Sequence, residues 1–173
     1  MMRISPRSLP RLPWLYAAVL ALVSACQSPP PVARQPVVDE QARRAQVLQD
    51  QGFVQDGDDW ELQMSGKLLF DFNSDAVASQ QRETLLQMGR ALVDVGVKKL
   101  RVEGHADDRG TASYNERLSL RRAQVVADVL VEAGIPRENI ELHGYGATLP
   151  LEHGTSEAAR KENRRVALII PAQ

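Results

Sequence analysis

From Asp58 onward the chain switches repeatedly between two hydrophobic periods, and that alternation limits the possible folds more than any other feature. Trp60–Met64 and Lys67–Phe72 read as two strands, with Ser65–Gly66 between them as a hairpin turn. Leu85, Met88, Leu92 and Val95 then recur at helical spacing across residues 79–95. Lys99–Glu103 alternates again and predicts a strand, and a second long helix is expected over residues 113–133, where Gly134 and Pro136 stop it. Asn139–His143 is a third inner strand, followed by a short helix over residues 156–162 and a last strand over residues 164–170. Strands interleaved with helices predict an α/β sandwich, a sheet with helices packed on one side. The roughly 115 residues involved suit one compact domain with its own core.

The N-terminus has a different character. Arg3, Arg7 and Arg11 precede an apolar run, Leu12 to Ala25, with no acid among the first eleven residues. The run is about 14 residues long, short of the roughly 20 needed to cross a hydrocarbon core. A basic start, a short apolar stretch and small residues at its end predict a secretory signal peptide over residues 1–25. Val23-Ser24-Ala25-Cys26 resembles the lipobox of bacterial lipoproteins, in which cleavage before the cysteine exposes it to acylation. Cys26 is the only cysteine, so it has no partner for an internal disulfide, and acylation gives it a role. Several acyl chains on one residue anchor stably where one is marginal. By the same analogy Gln27 favours export to the outer membrane. Proline-rich sequence then predicts a stiff, extended tether. Asp39–Gln51 reads as a polar spacer helix, with the tether running over residues 26–57 and the domain over residues 58–173.

The strand at Lys99–Glu103 leads into a turn-rich loop, Gly104-His-Ala-Asp-Asp-Arg-Gly110, just ahead of the second helix. With successive residues about 100° apart and Leu118 as origin, Val125, Val129 and Ala133 form an apolar stripe. Arg122 falls within it at about 40°, and Asn115 at about 60°. An inward arginine is unfavourable unless its guanidinium meets an anion, supplied either by the protein or by a ligand. Asp107 is the loop acid taken to pair with the same site. An aspartate and an arginine at a sheet rim can receive a zwitterion, the acid taking an ammonium and the guanidinium a carboxylate. Asn115 could add an amide to the same pocket. The other reading is an internal Asp107–Arg122 ion pair tying loop to helix.

The run from Gly104 to Ala123 resembles the signature of the OmpA-like peptidoglycan-binding domain, and in particular that of peptidoglycan-associated lipoproteins. The resemblance extends over residues 67–170, through the Leu-Phe-Asp-Phe-Asn-Ser strand exit and the terminal Asn163-Arg-Arg-Val166. Ala106 stands where many relatives carry threonine and agrees with the lipoproteins. The resemblance implies a βαβαβ-type fold with helices on one side of a mixed sheet. It also implies non-covalent binding of the peptidoglycan stem peptide through its diaminopimelate residue. Asp107 and Arg122 match the positions that grip that residue, and Asn73, Ser74 and Asp75 match the opposite wall of the pocket.

With 21 basic and 22 acidic residues and no basic block, nucleic acid is not an expected partner. His105, His143 and His153 lack metal-ligand spacing, no serine or cysteine motif marks a nucleophile, and neither metal, cofactor nor catalysis is expected. The expected partners are peptidoglycan, the outer membrane through the lipid, and envelope proteins. A protein adaptor built on the same fold is the alternative function, because a fold does not name its complex.

Overall fold

The computed structural model describes residues 39–70 and 76–172. The expected signal peptide, Cys26, the proline-rich stretch, Ser74 and Asp75 lie outside the described residues. In chain order the elements are α1 (Glu40–Asp50), β1 (Val54–Asp56), β2 (Asp59–Ser65), α2 (Gly66–Leu69), α3 (Ser79–Asp94), β3 (Leu100–His105), α4 (Ala112–Glu132), β4 (Ile140–Gly146), α5 (Glu157–Asn163) and β5 (Arg165–Ile170). A single 3-10 turn, Arg137–Asn139, leads into β4.

The strands form one mixed sheet in the order β1-β2-β5-β3-β4. β3 and β4 run parallel and are joined through α4, as parallel neighbours require. β5 runs antiparallel to both of its neighbours, β2 and β3, and all six of its residues are buried. One face of the sheet carries Val102, Val166, Leu168 and Ile170 into a core shared with Leu85 and Leu92 of α3 and Val126 and Leu130 of α4. The opposite face carries Arg101, Glu103, His105, Glu141, His143 and Tyr145, the other half of the strand alternation.

The α/β sandwich and most of its elements follow the sequence pattern, but three features depart from it. The first is Lys67–Phe72. Its described part is not a strand; β2 ends at Ser65 and the chain makes one helical turn, α2. Gly66 donates its N–H to the Arg164 carbonyl at 2.7 Å, and an added Cβ there would lie 2.8 Å from that oxygen. That contact leaves no room for a hairpin. The turn instead buries Leu69 and Phe70, with Phe70 bridging to Val77. The second is the boundary. The spacer helix is α1, but Leu48 and Phe53 are fully inside the common core, so the packed body starts ahead of Asp58.

The third is the phase of α4. Its buried residues are Asn115, Ser119, Ala123, Val126, Ala127, Val129 and Leu130, while Leu118, Arg122 and Val125 are only half-buried. The helix is turned from the expected stripe because small residues face the sheet. Gly104 and Gly144 of β3 and β4 let α4 come unusually close. A Cβ on Gly104 would collide with the Ser119 carbonyl, and one on Gly144 would lie 2.6 Å from the Leu120 Cβ and 2.8 Å from the Glu116 oxygen.

Backbone cannot step aside as a side-chain tip can. Gly104→Ala is therefore expected to push α4 off the sheet and destabilise the fold by about 1–3 kcal/mol or more, read as a lowered urea midpoint.

Candidate functional site

The loop between β3 and α4 is held in place from its first residue. Ala106 donates its N–H to the Gly146 carbonyl at 2.7 Å, and Gly146, at φ +53°, donates its own N–H to Ser119 Oγ at 2.9 Å. Ser119 is fully buried and its hydroxyl donates to the Glu116 carbonyl at 2.9 Å. One serine thus locks the end of β4 to α4, and β4 locks the start of the loop. At the other end Gly110 takes φ +92°, and Thr111 caps α4 by accepting from the Tyr114 amide at 3.3 Å.

Asn115 is buried beneath the loop. Its Nδ2 donates to the carbonyls of Asp107 (3.1 Å) and Arg109 (2.8 Å), so the amide shapes the loop itself. The Asp107 carboxylate has a bond on each oxygen. Oδ1 accepts from the Arg109 amide at 3.1 Å and Oδ2 from Arg164 at 2.7 Å, with 12% of the side chain exposed. Arg164, not Arg122, is thus the cation that holds Asp107. Arg122 lies at the margin of the buried face of α4, its guanidinium carbon 5.1 Å from the centre of the Phe70 ring. That contact is of the cation–π type. It puts Arg122 beside the residue that precedes segment 71–75, which contains Ser74 and Asp75.

The sequence reading missed Arg164 and Ser119. Arg164 stood within the quoted Asn163-Arg-Arg-Val166, and its signal was the charge pattern Glu157, Arg160, Arg164 on one helical face. Asn163 was likewise passed over. It is buried and ties down the preceding loop, accepting from the amides of Leu151 (2.7 Å) and Glu152 (2.9 Å) and donating to the Glu152 carbonyl (2.8 Å).

Electrostatics follow these contacts. Burial draws the Arg164 pKa down, but the bonds to Asp107 and Glu157 outweigh it and the net shift is upward. The bond from Arg160 lowers the Asp108 carboxyl, and the bond from Arg164 lowers Glu157. At the root of the loop His105 is buried, stacked on Tyr145 at 5.5 Å, with Tyr145 in turn on His143 at 5.6 Å. His105 packs in this stack, 3.7 Å from Glu103. Among the described residues no group of three His, Cys, Asp or Glu side chains could hold a metal ion, and no helix is long and apolar enough to cross a membrane.

Burial pushes the Glu103 pKa up, while the contact with His105, the 2.6 Å bond from Arg101 and the Arg101 charge draw it down, to a net position below 4.5. A carboxyl depressed on folding stabilises above its unfolded pKa, and that contribution fades as pH falls through the folded value. Glu103→Gln is therefore expected to lower the melting temperature at about pH 7, and that difference to shrink as the pH is lowered through the acidic range, in paired thermal melts.

The comparisons with known proteins agree with this architecture. The model of the OmpA family matches residues 69–164, more than half of the chain. The chain is 43% identical to the outer-membrane lipoprotein YfiB of Pseudomonas aeruginosa, over 92% of this chain and 91% of that protein. The fold superposes on the peptidoglycan-associated lipoprotein of Burkholderia pseudomallei with a TM-score of 0.54 at 30% identity, covering 62% of this chain and 87% of that one. It superposes on the cell wall anchor of the T6SS from Pseudomonas aeruginosa with a TM-score of 0.63 at 30% identity, covering 76% and 98%. A family model that runs from α3 through β3, the Asp107 loop, α4 and β4 to α5, and a relative matched over nearly its whole length, lead to one conclusion: the chain belongs to the OmpA family.

Proposed function

We propose that this chain is an outer-membrane lipoprotein that grips the peptidoglycan stem peptide and so ties the membrane to the wall. Residues 1–25 are its signal peptide, acylated Cys26 its anchor, the proline-rich stretch its tether, and the packed body its periplasmic wall-binding part. The body acts by binding and not by catalysis. The ligand is the diaminopimelate residue, whose free amino-acid end is a zwitterion.

The observation that carries this reading is the state of Asp107. Its carboxylate sits at the rim, mostly buried and oriented by one bond on each oxygen. An ionised carboxylate offers about four lone-pair positions, so two bonds leave room for an ammonium. Asp107 takes its cation from Arg164 while Arg122 lies against Phe70, which supports separate roles for the two residues. Arg122 then takes the ligand carboxylate, with Ser74 and Asp75 on the opposite wall and Asn115 holding the loop in shape. The names of the relatives, an outer-membrane lipoprotein and a peptidoglycan-associated lipoprotein, support the same assignment.

The test is binding of the full chain, purified in detergent, to a soluble disaccharide-peptide carrying diaminopimelate. Wild type should bind. Asp107→Ala and Arg122→Ala should each weaken binding by about tenfold or more, since a hydrogen bond to a charged group contributes about 1.5–3 kcal/mol and 1.4 kcal/mol is a decade. Circular dichroism must report both variants as folded. Failure of wild type to bind, or equal binding by both variants, would reject the clamp and favour a protein adaptor.

A further inference from the structure

Three consecutive loop residues each reach the same helix. Asp107 pairs with Arg164 at 2.7 Å, Asp108 takes Arg160 in a two-pronged contact at 2.6 and 3.2 Å, and Arg109 pairs with Glu157 at 3.2 Å. Glu157 and Arg160 lie three apart on α5 and Arg164 is its C-cap residue, so the loop mates with the helix and its end as a row of alternating charges. Arg164 also spans two acids, giving Nη1 to Asp107 and Nη2 to Glu157 at 2.9 Å.

The row is uneven. Its outer members are open to water: Arg109 is 64% exposed, Glu157 61% and Asp108 42%. Exposed pairs of this kind contribute little one by one. The Asp107–Arg164 pair lies deepest, at 12% and 29% exposure, where screening by salt is weaker. Both of its ends are fixed. The Arg164 amide bonds to the Arg160 carbonyl at 3.0 Å, its carbonyl accepts from Gly66 at 2.7 Å, and the buried strand β5 starts at the next residue. Asp107 is rooted through Ala106 and Asn115.

We infer that Arg164 is a positioning residue for wall binding, holding the Asp107 carboxylate in the orientation that receives the ligand ammonium. The inference rests on the function proposed above. Arg164 does not itself take the ligand. It is the cation bonded to a partly buried acid, and it fixes the direction of the lone pairs that remain. Without it the carboxylate must be ordered by the ligand on binding, and ordering a side chain lowers affinity.

The experiment compares wild type, Arg164→Gln and Arg164→Lys, each as the full chain in detergent, for binding of the diaminopimelate disaccharide-peptide. The same peptide N-acetylated on the diaminopimelate amine is the second probe. Arg164→Gln should weaken binding of the amine about two- to tenfold, the ordering of one side chain converted at a decade per 1.4 kcal/mol. Arg164→Lys, which can still reach Asp107, should recover most of that loss. With the acetylated probe the difference between wild type and Arg164→Gln should shrink, because the ammonium that Asp107 serves is gone. Wild-type binding with no loss in Arg164→Gln overturns the inference and leaves the proposed function standing. So does a loss that lysine does not restore and that is the same for both probes, since Arg164 would then serve stability alone. Wild type that binds neither probe overturns the proposed function, and this inference with it.

Discussion

The close seat of α4 on β3 and β4 is the constraint on which the remaining geometry depends. Gly104 and Gly144 present bare backbone to the helix, and Ser119, Ala123 and Ala127 answer with small side chains. Because the helix sits so low, its first turn comes level with the end of the sheet. Asn115 can then reach up into the Asp107 loop, and Ser119 can accept the Gly146 amide. Larger residues at these positions would give a thicker sandwich with more apolar contact and a loop that nothing held from beneath. Burying Asn115 and Ser119 is tolerable only because their polar groups are engaged, and those same bonds shape the rim.

A second layer of order is electrostatic. Consecutive charged residues in a loop normally stay solvated and add little. Here each has a partner on α5, and α5 is stiffened at both ends, by the Ser156 cap and by the run into β5. Helix α5 therefore carries the stiffness of the central strand to a surface loop. Asn163 does the same for the chain ahead of α5 by holding Leu151 and Glu152. Two loops and one short helix become a single rigid rim around the end of the sheet.

The elements themselves were legible in the sequence because their burial is one-sided and periodic. α3, α4 and the strands β3 and β5 fall within a residue or two of the pattern, β4 runs three residues past its expected end, and the loop that carries Asp107 lies between β3 and α4 as the pattern placed it. What was not legible depended on contacts between distant parts of the chain. The apolar run after Ser65 satisfies a strand pattern, but the Gly66–Arg164 contact turns it into a helical turn. The phase of α4 was misjudged because hydrophobicity was taken to mark the inner face. That face is marked by small residues, and their meaning appears only once two glycines are known to lie opposite. Arg164 was hidden for a related reason. In sequence it is one cation in a charged stretch, and only the fold brings it to Asp107, 57 residues earlier.

The two ends of the proposed clamp are built to different standards. The acid end is held by the sheet, α4 and α5, and its cation is already in place before any ligand arrives. At the basic end the Arg122 guanidinium lies over the Phe70 ring. An acid already paired attracts an incoming ammonium less than a bare one would, so the proposed clamp would trade affinity for selectivity toward a correctly placed amine. Modest affinity suits a molecule confined to a surface. Under the proposed function many copies facing one wall would act together, so no single domain would need to bind tightly.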